Sequence, residues 1–501
     1  MRERPTVCRE CTAYALTGTN HCGLLVVKYC VLFLRDVGYI SWQVSVNVAG
    51  FVTTVDVTEH SFIDKDVRDI ETAMAKKSPA GFQEAAKIYN EGKNSRMLTS
   101  MRNLASFWPG LHTNTLGLTS DDEPFLKMFE AYKDATNGID PHDAVLAALK
   151  EPREDNSVLG NYLTSAVAQE WDFRDQVVKK NIQFQIIMLY ALHELEIAVA
   201  AYKQNGQNGQ SEEAKRYADV WWAFYAGSQE PGNGQGFSTY ILAERRAKFF
   251  GTDTATIGNG GTSQVNDILL KATNEIKRLM NSDNQAPAME NVLKCVRAQL
   301  KVPLIQACIQ YGYKTDPSTN YEAGNSFTTS SGYNSEFARK GELWSFCSGV
   351  LPFLHAVDPT AAAKLLTEVN VMTFDGRTPS WTNIKSVFQA EHLNKMGVKC
   401  TDVGGFVDKN AQKTSATTVG ADFPVCRDGS LSSPDADSGQ CTGAWMNAVA
   451  ASDLGVSPDV AAAGDGMKPE SSDAARAHVT ASALPTLIAG VITVTAALLK
   501  F

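Results

Sequence analysis

Between Cys30 and Cys295 the chain contains no cysteine. Four cysteines lie in the first thirty residues (Cys8, Cys11, Cys22 and Cys30), and six come late (Cys295, Cys308, Cys347, Cys400, Cys426 and Cys441). An even, segregated set reads as disulfides in an extracellular chain and as buried thiols in a cytosolic one, so the compartment decides. Cys8-x-x-Cys11 followed by His21-Cys22 fits no standard zinc module. Signatures of common catalysis are missing too. There is no Gly-x-Ser-x-Gly elbow and no His-Glu-x-x-His zinc motif. The glycine-rich GNGGTS at residues 258–263 has no following lysine, which discounts a phosphate loop. Basic excess is absent: the net charge of −9 argues against nucleic acid as a partner.

What is present is enough apolar residue, 44% of 501, to bury a real core. From His60 to about Gly404 apolar residues recur at three and four, as in Phe184, Ile187, Ala191, Leu195 and Ala198. Alternation of the β type is confined to residues 43–57. Turn-rich breaks fall at 204–210, 230–236 and 258–263, and a Ser/Thr/Asn/Tyr-rich loop covers 315–334. After Gly405 the composition shifts to Ala, Ser, Asp and Gly, which reads as a stalk in which Cys426 and Cys441 close a small loop.

The chain's end carries the clearest targeting pattern. Residues 483–499 (ALPTLIAGVITVTAALL) are uncharged, and a polar spacer and small residues at 471–474 precede them. This fits a GPI-attachment signal, with a C-terminal transmembrane helix as the alternative. Either anchor implies the secretory pathway. At the other end, residues 23–34 have the length of a signal h-region, but Lys28 interrupts it, so residues 1–56 read as a weak signal, a signal anchor or a mispredicted start.

One aromatic frame is written twice. WWAFYAG at 221–227 and LWSFCSG at 343–349 share Trp-x-Phe-x-x-Gly, at Trp222, Phe224, Gly227 and at Trp344, Phe346, Gly349. Each follows a helix ending in Tyr-Lys and a polar loop. This suggests a duplicated helical hairpin, with units at about 178–252 and 296–405. The Trp and Phe residues themselves read as core. The interest moves to the acids just upstream, Asp219 and Glu342.

Two more polar constellations stand out. His60 and Asp64 in EHSFIDKD are i and i+4 and would share a helix face, although the same phrase also suits a helix N-terminus. His193 and Glu196 in LHELE are i and i+3, on the side of Ile186 and Leu189, so at least partial burial is expected. Such a pair holds a metal, or is satisfied locally. Carboxylate, imidazole and phenolate suit ferric iron, and Tyr225, Tyr311 and Tyr313 are further contributors.

These phrases, with IYNEGKNS at 88–95, YILAERRAKFFGT at 240–252, VPLIQACIQYGYK at 302–314 and MGVKCTDVGG at 396–405, resemble the algal iron-assimilation proteins. Those are low-iron-inducible periplasmic or surface proteins grouped with the phytotransferrins. The resemblance covers about residues 59–405. It implies non-catalytic capture of Fe(III) at the cell surface, with carbonate as synergistic anion and a ferrireductase or uptake machinery as partner. One departure is visible. Where the family pattern reads Asp-Glu-Gly-Trp, this chain has Asp219-Val220-Trp221-Trp222, one carboxylate fewer.

The expectation is therefore a mainly α protein: a helical bundle of two duplicated hairpins over 57–405, a stalk over 406–470, and an anchor over 471–501. Its ligands, chosen on physical grounds, are His60, Asp64, His193, Glu196, Asp219 and Glu342. The alternatives are a helical-bundle metalloenzyme at the surface and a non-metal structural or adhesive protein.

Overall fold

The computed structural model describes residues 45–97, 100–112, 116, 118, 122–136, 138–150, 170–205, 212–230, 236–253, 262–319, 335–370, 378–406, 441 and 443–447. The signal-like segment and the C-terminal hydrophobic tail lie outside them.

The alternating stretch forms only a small hairpin, β1 (Asn47–Val48) paired antiparallel with β2 (Phe51–Val52). Three helices follow: α1 (Thr58–Ser61), α2 (Ile63–Met74) and α3 (Pro79–Glu91). Ser78 caps α3 by accepting from the Gly81 amide, and Pro79 sits in the first turn, where its missing N–H costs nothing. A second two-residue hairpin, β3 (Arg96–Met97) with β4 (Ser100–Met101), leads to α4 (Phe107–Leu111), α5 (Pro124–Thr136) and α6 (Pro141–Leu149).

A long apolar run then forms the centre. It comprises α7 (Trp171–Asn181), one π-helical turn (Ile182–Ile186) and α8 (Ile187–Asn205). The run Trp171–Gln204 is long and apolar enough to cross a membrane, but 89% of its most apolar window is buried inside the protein, as a core helix would be. The π turn changes register and frees backbone groups. The Gln183 backbone carbonyl accepts from the Thr239 hydroxyl at 2.7 Å, and nearby the Gln185 side-chain amide donates to the Ser345 carbonyl at 2.8 Å.

Around this centre lie α9 (Glu212–Ala226), α10 (Tyr240–Phe250), α11 (Gln264–Leu279), α12 (Ala286–Thr315), α13 (Ser335–Val357) and α14 (Pro359–Val369). Three short helices finish the bundle: α15 (Trp381–Ser386), α16 (Ala390–Lys395) and α17 (Cys400–Val403). α9 packs on α8, and α13 packs on both α7 and α12. The helix that ends in Tyr313-Lys314-Thr315 begins well before the expected unit, at Ala286, and runs through Pro303.

The mainly α expectation holds. The aromatics of the repeated frame are core: Trp222 and Phe224 are fully buried, and Trp344 and Phe346 nearly so. The two frames end differently, however. Gly227 stops α9 in the left-handed region at φ 73°, whereas Gly349 lies inside α13 against the Gln185 side chain.

Two disulfides join the late cysteines, Cys308–Cys347 between α12 and α13, and Cys295–Cys441. Cys400 is disulfide-bonded as well. The expected Cys426–Cys441 loop is thereby corrected, since Cys441 is taken by the core helix α12. The Cα of Cys441 lies 4.6 Å from that of the buried Cys295, within the span a disulfide bridges. Part of the expected stalk also belongs to the bundle. Trp445 packs against the core and the Met446 carbonyl accepts from Lys271 at 3.4 Å.

Candidate functional site

Of the six residues expected as ligands, three acids act as internal anchors. Asp64 is fully buried and accepts from the Ser228 amide and hydroxyl, both at 2.8 Å, and from the Gln229 amide at 2.7 Å. It thus pins the turn that follows α9. Asp219, also fully buried, accepts from the Thr54 and Val55 amides at 2.5 and 3.0 Å and pairs with Lys277 at 2.8 Å. It ties the N-terminal hairpin to α9 and α11. Glu342 accepts from the Tyr311 hydroxyl at 2.8 Å and faces Lys180 at 3.4 Å. Burial would raise its carboxyl, but Lys180, Lys314 and the Tyr311 hydroxyl hold it below the usual value.

The LHELE pair is buried as expected, but its two members serve different partners. His193 Nδ1 contacts Glu123, and Glu196 is held by the Arg297 guanidinium at 2.7 Å. Burial pushes Glu196 up to about 7, with Arg297 opposing. Phe62 divides α1 from α2, so His60 and Asp64 lie on separate helices; both reach the end of α9, His60 against Phe224 and Asp64 against Ser228 and Gln229. Among the described residues no group of three His, Cys, Asp or Glu side chains comes together in a metal-sized cluster. The six are therefore not assembled into one ligand set, and each long-range partner explains why: these groups are spent on holding elements together.

One of the six, His60, does reach a different constellation. Arg102 follows β4 and spans the gap between α1 and α8. Its Nη2 lies 3.4 Å from His60 Nδ1, and its Nη1 lies 3.4 Å from the Tyr190 hydroxyl. Glu194 lies one turn beyond Tyr190 along α8, and its charge is felt at the phenol. The floor is aromatic. The Arg102 guanidinium sits 4.9 Å over the Phe224 ring, and His60 meets the same ring edge-on at 5.7 Å. Tyr190 is stacked on Phe107 at 4.1 Å. Gly110 makes that placement possible, since a Cβ there would lie 2.9 Å from the Tyr190 ring. Phe224 of the repeated frame is thus both core and site floor.

The electrostatics of this constellation are uneven. Burial, then Arg102 and Arg216, lower His60 to about 4, so its imidazole is neutral at ordinary pH. Burial and Glu194 push Tyr190 up to about 12, and burial raises Glu194. The Nε of Arg102 is buried with no hydrogen-bond partner. An unmade donor on a charged group is costly, on the order of 1–3 kcal/mol or more. A neutral imidazole, a phenol, a carboxyl and a half-satisfied guanidinium therefore face one another.

Tyr190, Glu194 and Arg102 were not among the sequence candidates. The i,i+4 spacing of Tyr190 and Glu194 in MLYALHELE was a usable signal. For Arg102 there was none, because it reaches the site from a hairpin remote in sequence. Tyr225, Tyr311 and Tyr313 are buried in other contacts, with the first two donating to Asn266 and Glu342.

A family model described as low iron-inducible periplasmic protein, Fea1, matches residues 42–333, more than half of the chain. All four residues of the Arg102 constellation fall within that match. No curated protein and no solved structure matches the chain. The chain belongs to the Fea1 family of low iron-inducible periplasmic proteins.

Proposed function

We propose that the protein captures ferric iron, without turnover, at the constellation of His60, Tyr190 and Glu194, and that Arg102 holds a carbonate beside it. The observation that supports this most directly is the chemistry meeting at Arg102. Imidazole, phenolate and carboxylate are hard donors suited to Fe(III). The unpartnered Arg102 Nε is the kind of planar donor that a carbonate would take. His60 is already neutral and needs no deprotonation to act as a ligand. His193 lies behind Tyr190, with ring centroids 5.9 Å apart, and would act as support.

In this reading Fe(III) is cargo, delivered to a reductase or uptake system at the cell surface. The C-terminal segment at 483–499 would hold the protein there, as a GPI signal or as a membrane helix. Release from intact cells by a phosphatidylinositol-specific phospholipase is expected for the first form of anchor and not for the second.

The binding reading is tested by titrating the full chain with a weak ferric chelate, with and without bicarbonate, and following the visible phenolate-to-iron absorption. Saturable binding of one iron that strengthens with bicarbonate is the expected result. A folded protein that binds no iron under either condition would overturn the proposal.

A further inference from the structure

A second polar cluster lies where α10 packs on α12, and it shares no residue with the Arg102 constellation. Arg246 and Gln310 are 3% and 1% exposed. The Arg246 Nη1 donates to the Gln310 side-chain carbonyl. That bond fixes the orientation of the amide, since the flipped form would set donor against donor. It leaves Arg246 Nε and Gln310 Nε2 both buried without a hydrogen-bond partner. Among the buried unpartnered side-chain atoms, these two lie on directly bonded side chains, so one ligand with two acceptor oxygens is matched to both.

The surrounding charge favours an anionic one. Arg245, the neighbour of Arg246, is exposed to solvent. It is coupled through space to Arg246, Glu71 and Glu342. Lys180 of α7 joins the same field. The nearby carboxylates are already engaged. Glu342 takes the Tyr311 hydroxyl and Lys180, Asp175 takes Lys179 at 3.0 Å, and Glu71 accepts from Gln183 at 2.9 Å. Burial, and then Lys179, lower the Lys180 ammonium, with Glu342 opposing. Every free group in the cluster is an N–H donor, so a metal cation is repelled while an oxyanion is matched.

We propose that Arg246 and Gln310, in the positive surroundings supplied by Arg245 and Lys180, form a binding site for a small oxyanion of the phosphate class. Arg246 Nε and Gln310 Nε2 would donate to two of its oxygens, and Arg245 would neutralise its charge.

The test is calorimetric titration of the iron-free full chain with inorganic phosphate. Wild-type protein is expected to bind a single equivalent. Arg246→Lys, which keeps the charge and loses the Nε donor, and Arg245→Gln, a surface change that spares the fold, are each expected to weaken binding roughly tenfold or more. Arg102→Gln is expected to leave phosphate affinity unchanged, which separates this site from the iron constellation. Absence of phosphate binding by the wild type, wild-type affinity retained in the Arg245 and Arg246 variants, or loss only in the Arg102 variant would each overturn the assignment. Circular dichroism checks the fold of Arg246→Lys, and Arg245→Gln keeps the test decisive if that variant is unstable.

Discussion

Glu194 lies one helical turn beyond Tyr190 on α8, and burial together with that neighbouring carboxyl pushes the Tyr190 phenol up to about 12. The pair sets a phenol and a carboxyl side by side on the central helix, with Arg102 reaching the same hydroxyl from the opposite side at 3.4 Å. Among the described residues the Tyr190 hydroxyl takes only this one long contact from another element, whereas the carboxylates of Asp64 and Asp219 are each filled by three bonds of 3.0 Å or less. That difference separates a site from an anchor, and the predictions rest on it.

Tyr190→Phe removes the phenol and keeps the ring stacked on Phe107. The variant is expected to melt close to wild type, to lose the visible iron absorption, and to bind Fe(III) roughly 100-fold more weakly. Absorption titration checks this. A variant that keeps both colour and affinity would place the ligand elsewhere.

Iron affinity is expected to fall on acidification. Tyr190 holds its proton up to about 12 in the iron-free protein, so binding must release that proton. Each proton released makes the apparent affinity fall by about tenfold per pH unit lowered. His60, lowered to about 4, adds a further loss only when the pH falls toward that value. Binding titrated between pH 5 and 8 with a pH stat (roughly, the range in which carboxyl and imidazole groups ordinarily titrate) checks the slope. A flat profile would exclude a phenolate ligand.

Glu196 and Asp219 are expected to matter for stability and not for iron. The folded-state value of Glu196, about 7, lies above the ~4.3 of an exposed glutamate. Its protonated form is therefore favoured by folding. That stability is fully present below ~4.3 and is lost as pH rises through about 7. Glu196→Gln should flatten the melting temperature against pH in this window, with iron affinity unchanged. Asp219→Ala strands Lys277 and the Thr54 and Val55 amides, and it is expected to cost about 3–5 kcal/mol in chemical denaturation.

The two glycines of the repeated frame should respond differently to alanine. At Gly227 the backbone is left-handed and a Cβ would lie 2.7 Å from Asp64 Oδ2. Gly227→Ala is expected to cost about 2 kcal/mol or more, since strain adds to the clash. At Gly349 the nearest atom to a Cβ is 3.1 Å away, on the Gln185 side chain, and a helical alanine gains about 1 kcal/mol of propensity. Gly349→Ala should therefore lie near neutral. Equal losses at both positions would show that the frames are structurally alike after all.

The sequence by itself determined the helical class, the core status of Trp222, Phe224, Trp344 and Phe346, and the burial of His193 and Glu196. These follow from periodicity and side-chain size, which act over a few turns of one helix. Only the tertiary structure decided which polar groups are free to do chemistry. Asp219 meets Thr54 and Val55 across about 165 residues, and Glu196 meets Arg297 across 101. Nothing local marks those pairings. A buried acid looks the same in sequence whether it waits for a cation or already holds a lysine, and the cost of burying it unpaired is what drives the fold to supply a partner. Arg102 reached His60 and Tyr190 for the same reason, through packing that brings a hairpin onto a distant helix.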